Sequence, residues 1–285
     1  MTRSRLVHLV DLQTGEVLGE EIINPKSLGI SENQRQAYKN KLEKERDNRH
    51  FSFAFMENIK EVISTLSTVH LGYLLQLQCH MEFGTGFLIG KDGAVMTKKV
   101  DIEHTLGITN STNKRLCKAL ENNGVLEEVQ GGYRINPTYH FRGQAQEQKI
   151  IKLFTTTLKQ LCKILKPAEI GFLYKLLPYV HYETNMICIN PHESDSKEIQ
   201  YLNIESIAQI TKIHHKKIST LLRSLRKGGV IAETILEDKR HTFITLNPYI
   251  FYRKSGQPDN TLRGMFAASP YAPKKGNLFD PYLLE

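Results

Sequence analysis

The chain carries one pattern twice. Apolar positions Phe55, Ile59, Val62, Ile63, Leu66, Leu71, Gly72, Tyr73 and Leu74 recur at Phe154, Leu158, Leu161, Cys162, Leu165, Ile170, Gly171, Phe172 and Leu173, an offset of 154 − 55 = 99. Farther along the offset becomes 207 − 102 = 105. Ile102, Ile108, Leu116, Leu120, Gly124, Val125 and Glu128 then match Ile207, Ile213, Leu221, Leu225, Gly229, Val230 and Glu233. The polar stretch HESDSKE (192–198) accounts for the change, and a second insertion brings INP at 135–137 onto LNP at 246–248. So many spaced matches make two homologous units the primary constraint on the fold.

Each unit has the same grammar. The period-3.6 pattern predicts a helix over 55–66 and again over 150–165, then a second apolar helix over 71–81 and 169–180. A strand-like piece follows at 86–90 and 185–189. Next come a short helix, a tight turn and a longer helix stopped by Gly124, or by Gly228 and Gly229. Two alternating segments close the unit as a hairpin. That is the order of a winged helix-turn-helix. The expected fold is therefore mainly α with small β wings, an α+β chain with two tandem winged helix-turn-helix domains. Residues 1–50 read as a hairpin turning at Thr14-Gly15 and a charged helix or arm. The first winged unit covers 51–143, and the second covers 144–255 with a leading connector helix. The Pro- and Gly-rich tail, 256–285, reads as extended.

With 38 Lys and Arg against 30 Asp and Glu, the net charge of +8 favours an anionic partner, although a cationic enzyme has the same balance. Cys79, Cys117, Cys162 and Cys188 are scattered among apolar neighbours without a CxxC pair, which reads as buried reduced thiols in a cytoplasmic protein. The N-terminal MTRSRLVHLVDLQTGE meets charge too early for a signal peptide. No apolar run reaches the ~18 residues of a membrane span, so no membrane partner is expected.

The positive charge concentrates in one stretch. Between Lys212 and Lys227 lie Lys216, Lys217, Arg223 and Arg226, with no acidic residue. Ile218, Leu221, Leu222 and Leu225 keep helical spacing and face a core. His215, Lys216, Lys217, Ser219, Thr220 and Arg223 then form an all-polar face with His214 at the helix start, and the two adjacent histidines point to different sides. Phosphates and major-groove edges of double-stranded DNA suit such a surface. The first copy's equivalent, 110–123, offers Asn110, Ser111, Thr112, Lys114, Arg115 and Lys118 but also Glu121, and Asn113 stands where Ile218 does. That copy either reads DNA or pairs subunits in a homodimer. Lys239 and Arg240 at the second wing tip suit a phosphate contact, which Glu237 and Asp238 oppose.

Nothing in the sequence points to catalysis. GTGFLIGKDG (84–93) lacks the first glycine and the hydroxyl of a phosphate loop, and reads as a turn. No HxH, GxSxG or HExxH occurs, and Tyr139, Tyr249 and Tyr252 read as packing residues. No enzyme activity, cofactor or metal site is expected.

The run FLYKLLPYVHYETNMICINP, the ending TLNPYIFYR and the first copy's RINPTYHFRG resemble the winged-helix replication proteins of firmicute plasmids and related phages, the RepL-like group. The resemblance covers about residues 51–255, once per copy, and departs in having two copies and Lys254 where a second Arg-Gly would end. It implies a recognition-helix role for 214–223 and a wing role for Lys239 and Arg240; for an initiator, the tail or the charged N-terminal arm is the expected contact for host replication proteins. The expected function is a sequence-specific DNA-binding initiator of plasmid or phage replication, or alternatively a transcription regulator with the same contacts.

Overall fold

The computed structural model describes residues 5–10, 17–23, 49–145, 149–235 and 242–272. The chain forms two compact units. One holds an antiparallel hairpin of β1 (Arg5–Val10) and β2 (Val17–Ile23), with a register irregularity between Leu9 and Val10. The expected turn at Thr14-Gly15 and the charged arm lie outside the described residues, as do Lys239 and Arg240. The other unit takes Arg49–Lys254 with the chain from Pro258, so both copies of the repeat belong to it. The protein is mixed α+β, and among the described residues no helix is long and apolar enough to cross a membrane.

The first copy runs β3 (Phe51–Phe55), α1 (Ile59–Thr65), α2 (Thr68–Leu77), a 3-10 turn (Gln78–His80), α3 (Lys99–Leu106), α4 (Asn110–Asn122), β4 (Leu126–Val129), β5 (Gly132–Ile135) and β6 (His140–Phe141). The second repeats it as β7 (Ile150–Phe154), α5 (Thr155–Ile164), α6 (Pro167–Leu176), a 3-10 turn (Leu177–Tyr179), α7 (Ile204–Thr211), α8 (His215–Lys227), β8 (Ile231–Ile235), β9 (Thr242–Leu246) and β10 (Phe251–Tyr252). A final helix, α9 (Asn260–Met265), follows.

Two expectations are corrected here. The helices predicted from Phe55 and Ile150 begin only at Ile59 and Thr155, because the residues before them are strands and not a connector helix. β3 and β7 are the central strands of a sheet ordered β10-β7-β3-β6, and all five residues of β7 are buried. A short strand covered on both faces reads as one apolar run, which periodicity alone does not separate from a buried helix. The tail is also not extended throughout. Asp259 caps α9 by accepting from Leu262 N at 3.0 Å, and Leu262 and Phe266 are buried.

The copies are joined about a pseudo-twofold axis. In the β3–β7 pair Phe51 faces Phe154, Phe53 faces Lys152 and Phe55 faces Ile150. Since Ile150 and Phe154 are themselves the repeat counterparts of Phe51 and Phe55, the register maps onto itself when the copies are exchanged. The outer strands obey the same rule: Phe53 pairs with Phe141 as Lys152 pairs with Tyr252. Helices α2 and α6 cross at Gly72 and Gly171. A Cβ on Gly72 would lie 1.9 Å from the Pro167 carbonyl oxygen, and one on Gly171 would lie 1.7 Å from that of Thr68. Thr68 and Pro167 are counterparts too, so the backbone contact is reciprocal. Each side chain missing here lets two backbones meet directly.

The strand-like pieces at 86–90 and 185–189 make isolated bridges. Phe87 with Arg134 and Met186 with Thr245 add a third row to the β4–β5 and β8–β9 hairpins. Polar groups are also buried, one pair between the copies and one within the first. His140 Nε2 lies 2.7 Å from Tyr174 Oη, and Ser52 donates to Gln78 where the second copy has Ile151 and Leu177. Burial pushes the His140 imidazole down to about 3 and His80 to about 4.

Two outcomes follow. Gly72→Ala or Gly171→Ala drives a methyl into backbone that cannot step aside, and each should lower the unfolding free energy by about 3 kcal/mol in urea titrations. Gly264→Ala, in α9 with nothing within 4 Å, should be neutral or stabilising. Unfolded histidine takes up a proton near 6.5 that buried His140 refuses, so stability should fall as pH drops from about 6.5 toward 3. His140→Phe, the residue type of its counterpart Phe251, should reduce that slope while leaving the Tyr174 hydroxyl unpaired at neutral pH.

Candidate nucleic-acid interface

In the second copy Asn203 caps α7 by accepting from Ser206 N at 2.8 Å. The chain then reverses through Lys212 and enters α8, where His214 Nδ1 accepts from Lys216 N at 3.3 Å. Ile218, Leu221, Leu222 and Leu225 are buried, as their spacing predicts. His214, His215, Lys216, Lys217, Ser219, Thr220 and Arg223 are all exposed. Among the described residues Arg226 pairs with Glu233, whereas Lys212, Lys216, Lys217, Arg223 and Lys227 have no carboxylate partner. The hydroxyls of Ser219 and Thr220 donate back to the His215 and Lys216 carbonyls at 3.3 and 3.2 Å, leaving their lone pairs outward. The two histidines do not point apart: His214 precedes the helix as its cap, and its ring centroid lies 4.4 Å from that of His215.

The first copy presents a different surface. Thr109 caps α4, and Asn110, Ser111, Lys114, Arg115 and Lys118 are exposed, with Thr112 half-buried against Thr109. Much of this set is already engaged. Asn110 donates to Glu103 at 2.9 Å, Arg115 to Ser111 at 2.9 Å, and Lys99 pairs with Glu121 at 2.7 Å. In the hairpin behind, Glu127 pairs with Arg134 and Glu128 accepts from the Tyr133 hydroxyl. Asn113, at the core position of Ile218, is buried and donates to the Lys99 carbonyl at 2.7 Å. Burial, with the Arg115 guanidinium nearby, holds the His70 imidazole below its ordinary value.

One backbone conformation escapes a reading of charge and periodicity. Lys212 has φ of 55°, in the left-handed region, where the first copy has Gly107 at 66°. The offset of 105 places these two side by side, so the repeat holds the signal. A lysine in this conformation is strained, yet it adds a cation at the turn of the helix pair.

The residues behind the family resemblance serve the scaffold. Asn136 and Asn247, of the two Asn-Pro dipeptides, donate to the Gly124 and Gly229 carbonyls at 2.8 and 2.7 Å and accept from Thr138 N and Tyr249 N. They fasten the end of each long helix to the end of each hairpin. Arg142 and Arg253 donate to the Met81 and Val180 carbonyls at 2.9 and 3.0 Å. Tyr139, Tyr249 and Tyr252 are buried, and burial raises each phenol's pKa. Cys79, Cys117 and Cys188 are buried thiols and Cys162 is half-buried. Comparison of the chain with protein-family models, curated proteins and solved structures gives no match.

Lys212→Gly should raise the unfolding free energy by about 1 kcal/mol by relieving the left-handed strain, read by thermal or urea denaturation. An unchanged or lowered stability would mean that the lysine stem packs usefully at the turn.

Proposed function

We propose that the chain is a sequence-specific double-stranded DNA-binding protein, with each copy a winged helix-turn-helix and α8 the principal reading helix. The observation that carries this reading is the seven-residue exposed polar face of α8, whose cations lack carboxylate partners among the described residues. Like charges gathered on one helix repel one another in water, and a line of phosphates removes that repulsion while releasing counterions. Ser219, Thr220 and Arg223 are of types that reach base edges from the first turns of a helix in the major groove.

The pseudo-twofold relation adds the form of the target. Two reading helices related by a dyad meet the two strands of a duplex in the same sense when the DNA dyad coincides with that of the protein, with half-sites about 10 base pairs apart or a multiple of that. Because α4 and α8 carry different side chains, the half-sites are unlike in sequence. The target is a pair of dissimilar half-sites, read more strongly at the α8 half.

The biological role proposed is initiation of plasmid or phage replication, in a cytoplasmic setting with host replication proteins as partners. It rests on the resemblance of the Asn-Pro-aromatic-Arg endings to RepL-like proteins. Transcription regulation would use the same contacts, and the position of the bound site separates the two: inside a replication origin, or over a promoter.

The combined change Lys216→Ala, Lys217→Ala and Arg223→Ala tests the reading. Affinity for duplexes selected from random sequence should fall, and the log–log salt dependence should flatten by about 0.9 for each phosphate that is no longer neutralised. Equal affinity and equal slope in anisotropy titrations would remove α8 as the reader.

A further inference from the structure

Helices α2 and α6 are counterparts, yet among the described residues only α6 is bonded through side chains to the helix pair it supports. Glu169, in its first turn, divides its carboxylate. Oε2 accepts from Lys166 N at 2.8 Å and closes the start of α6, while Oε1 accepts from the Ser224 hydroxyl of α8 at 2.6 Å. Lys175, near the other end of α6, donates from Nζ to the Thr211 carbonyl at 2.8 Å, the last residue of α7 before the strained Lys212. Lys175 is only 9% exposed and has no carboxylate partner among the described residues. A desolvated ammonium is costly, and burial with nearby Lys212 lowers its pKa. Its hydrogen bond falls at the carbonyl end of α7, where the helix dipole favours a cation. At the far end of α8 a third tie appears: Ser269 donates to the Gly229 carbonyl at 3.0 Å and accepts from Asn247 at 2.8 Å.

In the first copy Glu169, Lys175 and Ser224 are replaced by His70, Gln76 and Ala119. Among the described residues no side-chain hydrogen bond joins α2 to α3 or α4. The two helix pairs therefore share a topology and differ in how they are fixed.

We infer that Glu169, Lys175 and Ser224 are positioning residues that hold the second helix-turn-helix in one orientation on α6, so that specificity resides in the second copy. The first copy, lacking these ties, follows the groove chiefly through phosphate contacts. This deepens the DNA-binding reading and rests on it. Base-edge contacts depend on side-chain placement within a few tenths of an ångström, whereas phosphate contacts tolerate movement. Loosening α8 therefore costs discrimination before it costs affinity.

Ser224→Ala tests this with the residue that the first copy already accommodates. The ratio of affinities for the selected duplex and for a random duplex should fall about fivefold, with random-duplex affinity unchanged, and Ser224→Thr should restore it. Lys175→Met should act in the same direction. Without any DNA, hydrogen–deuterium exchange of α8 should rise in Ser224→Ala while exchange of α4 stays constant. An unchanged ratio with unchanged α8 exchange overturns the inference. So does a loss of specific and random-duplex affinity in equal proportion, tracking a lower melting temperature. A wild-type chain that ignores every duplex at low salt removes the DNA reading, and the exchange arm alone then reports whether the ties hold α8.

Discussion

The crossing of α2 and α6 at Gly72 and Gly171 sets the rest of the structure. With no Cβ on either side, backbone meets backbone across the crossing. That contact aligns β3 with β7 in a self-equivalent register and extends the sheet to β6 and β10 at its edges. Each helix pair, α3–α4 and α7–α8, leans on one of the two crossing helices, so the angle of that crossing fixes how α4 and α8 are disposed to each other. Apolar burial supplies the driving force, with Leu71, Leu74, Ile170 and Leu173 in the common core. The glycines decide the geometry in which it acts.

A duplicated unit is free to divide its tasks. Both copies keep the fastenings that preserve shape: Asn136 and Asn247 at the helix stops, Arg142 and Arg253 behind the 3-10 turns. They differ at the surface. The first copy neutralises much of its positive charge internally, with Lys99 on Glu121 and Arg134 on Glu127. The second leaves Lys216, Lys217 and Arg223 without such partners, accepts strain at Lys212 and buries Lys175 beneath the turn. Each of these choices works against stability.

Much of this architecture is legible in the amino-acid sequence. The offsets of 99 and 105 pick out the repeated order of elements, the glycine stops end α4 and α8 where expected, and the apolar stripe of α8 marks its buried face. The exposed residues between His214 and Arg223 follow from their polar type and their place off that stripe. What escapes has physical causes. The runs before α1 and α5 are buried on both faces, so strand and helix give the same apolar signal. α9 depends on the Asp259 cap and on docking by Leu262 and Phe266, neither of which shows in a Pro- and Gly-rich composition. The union of the copies in one compact unit, and the ties from Glu169 and Lys175, are long-range contacts between segments that no local pattern connects.

The most direct measurement is affinity cleavage from α8. With a chelated iron attached at Ser219→Cys, the full chain bound to a duplex carrying its selected site should cut both strands within one half of the footprint. A probe at Ser111→Cys on α4 should cut in the other half. Dispersed cutting along the duplex from both positions, or none from Ser219→Cys while the site remains occupied, would contradict the account.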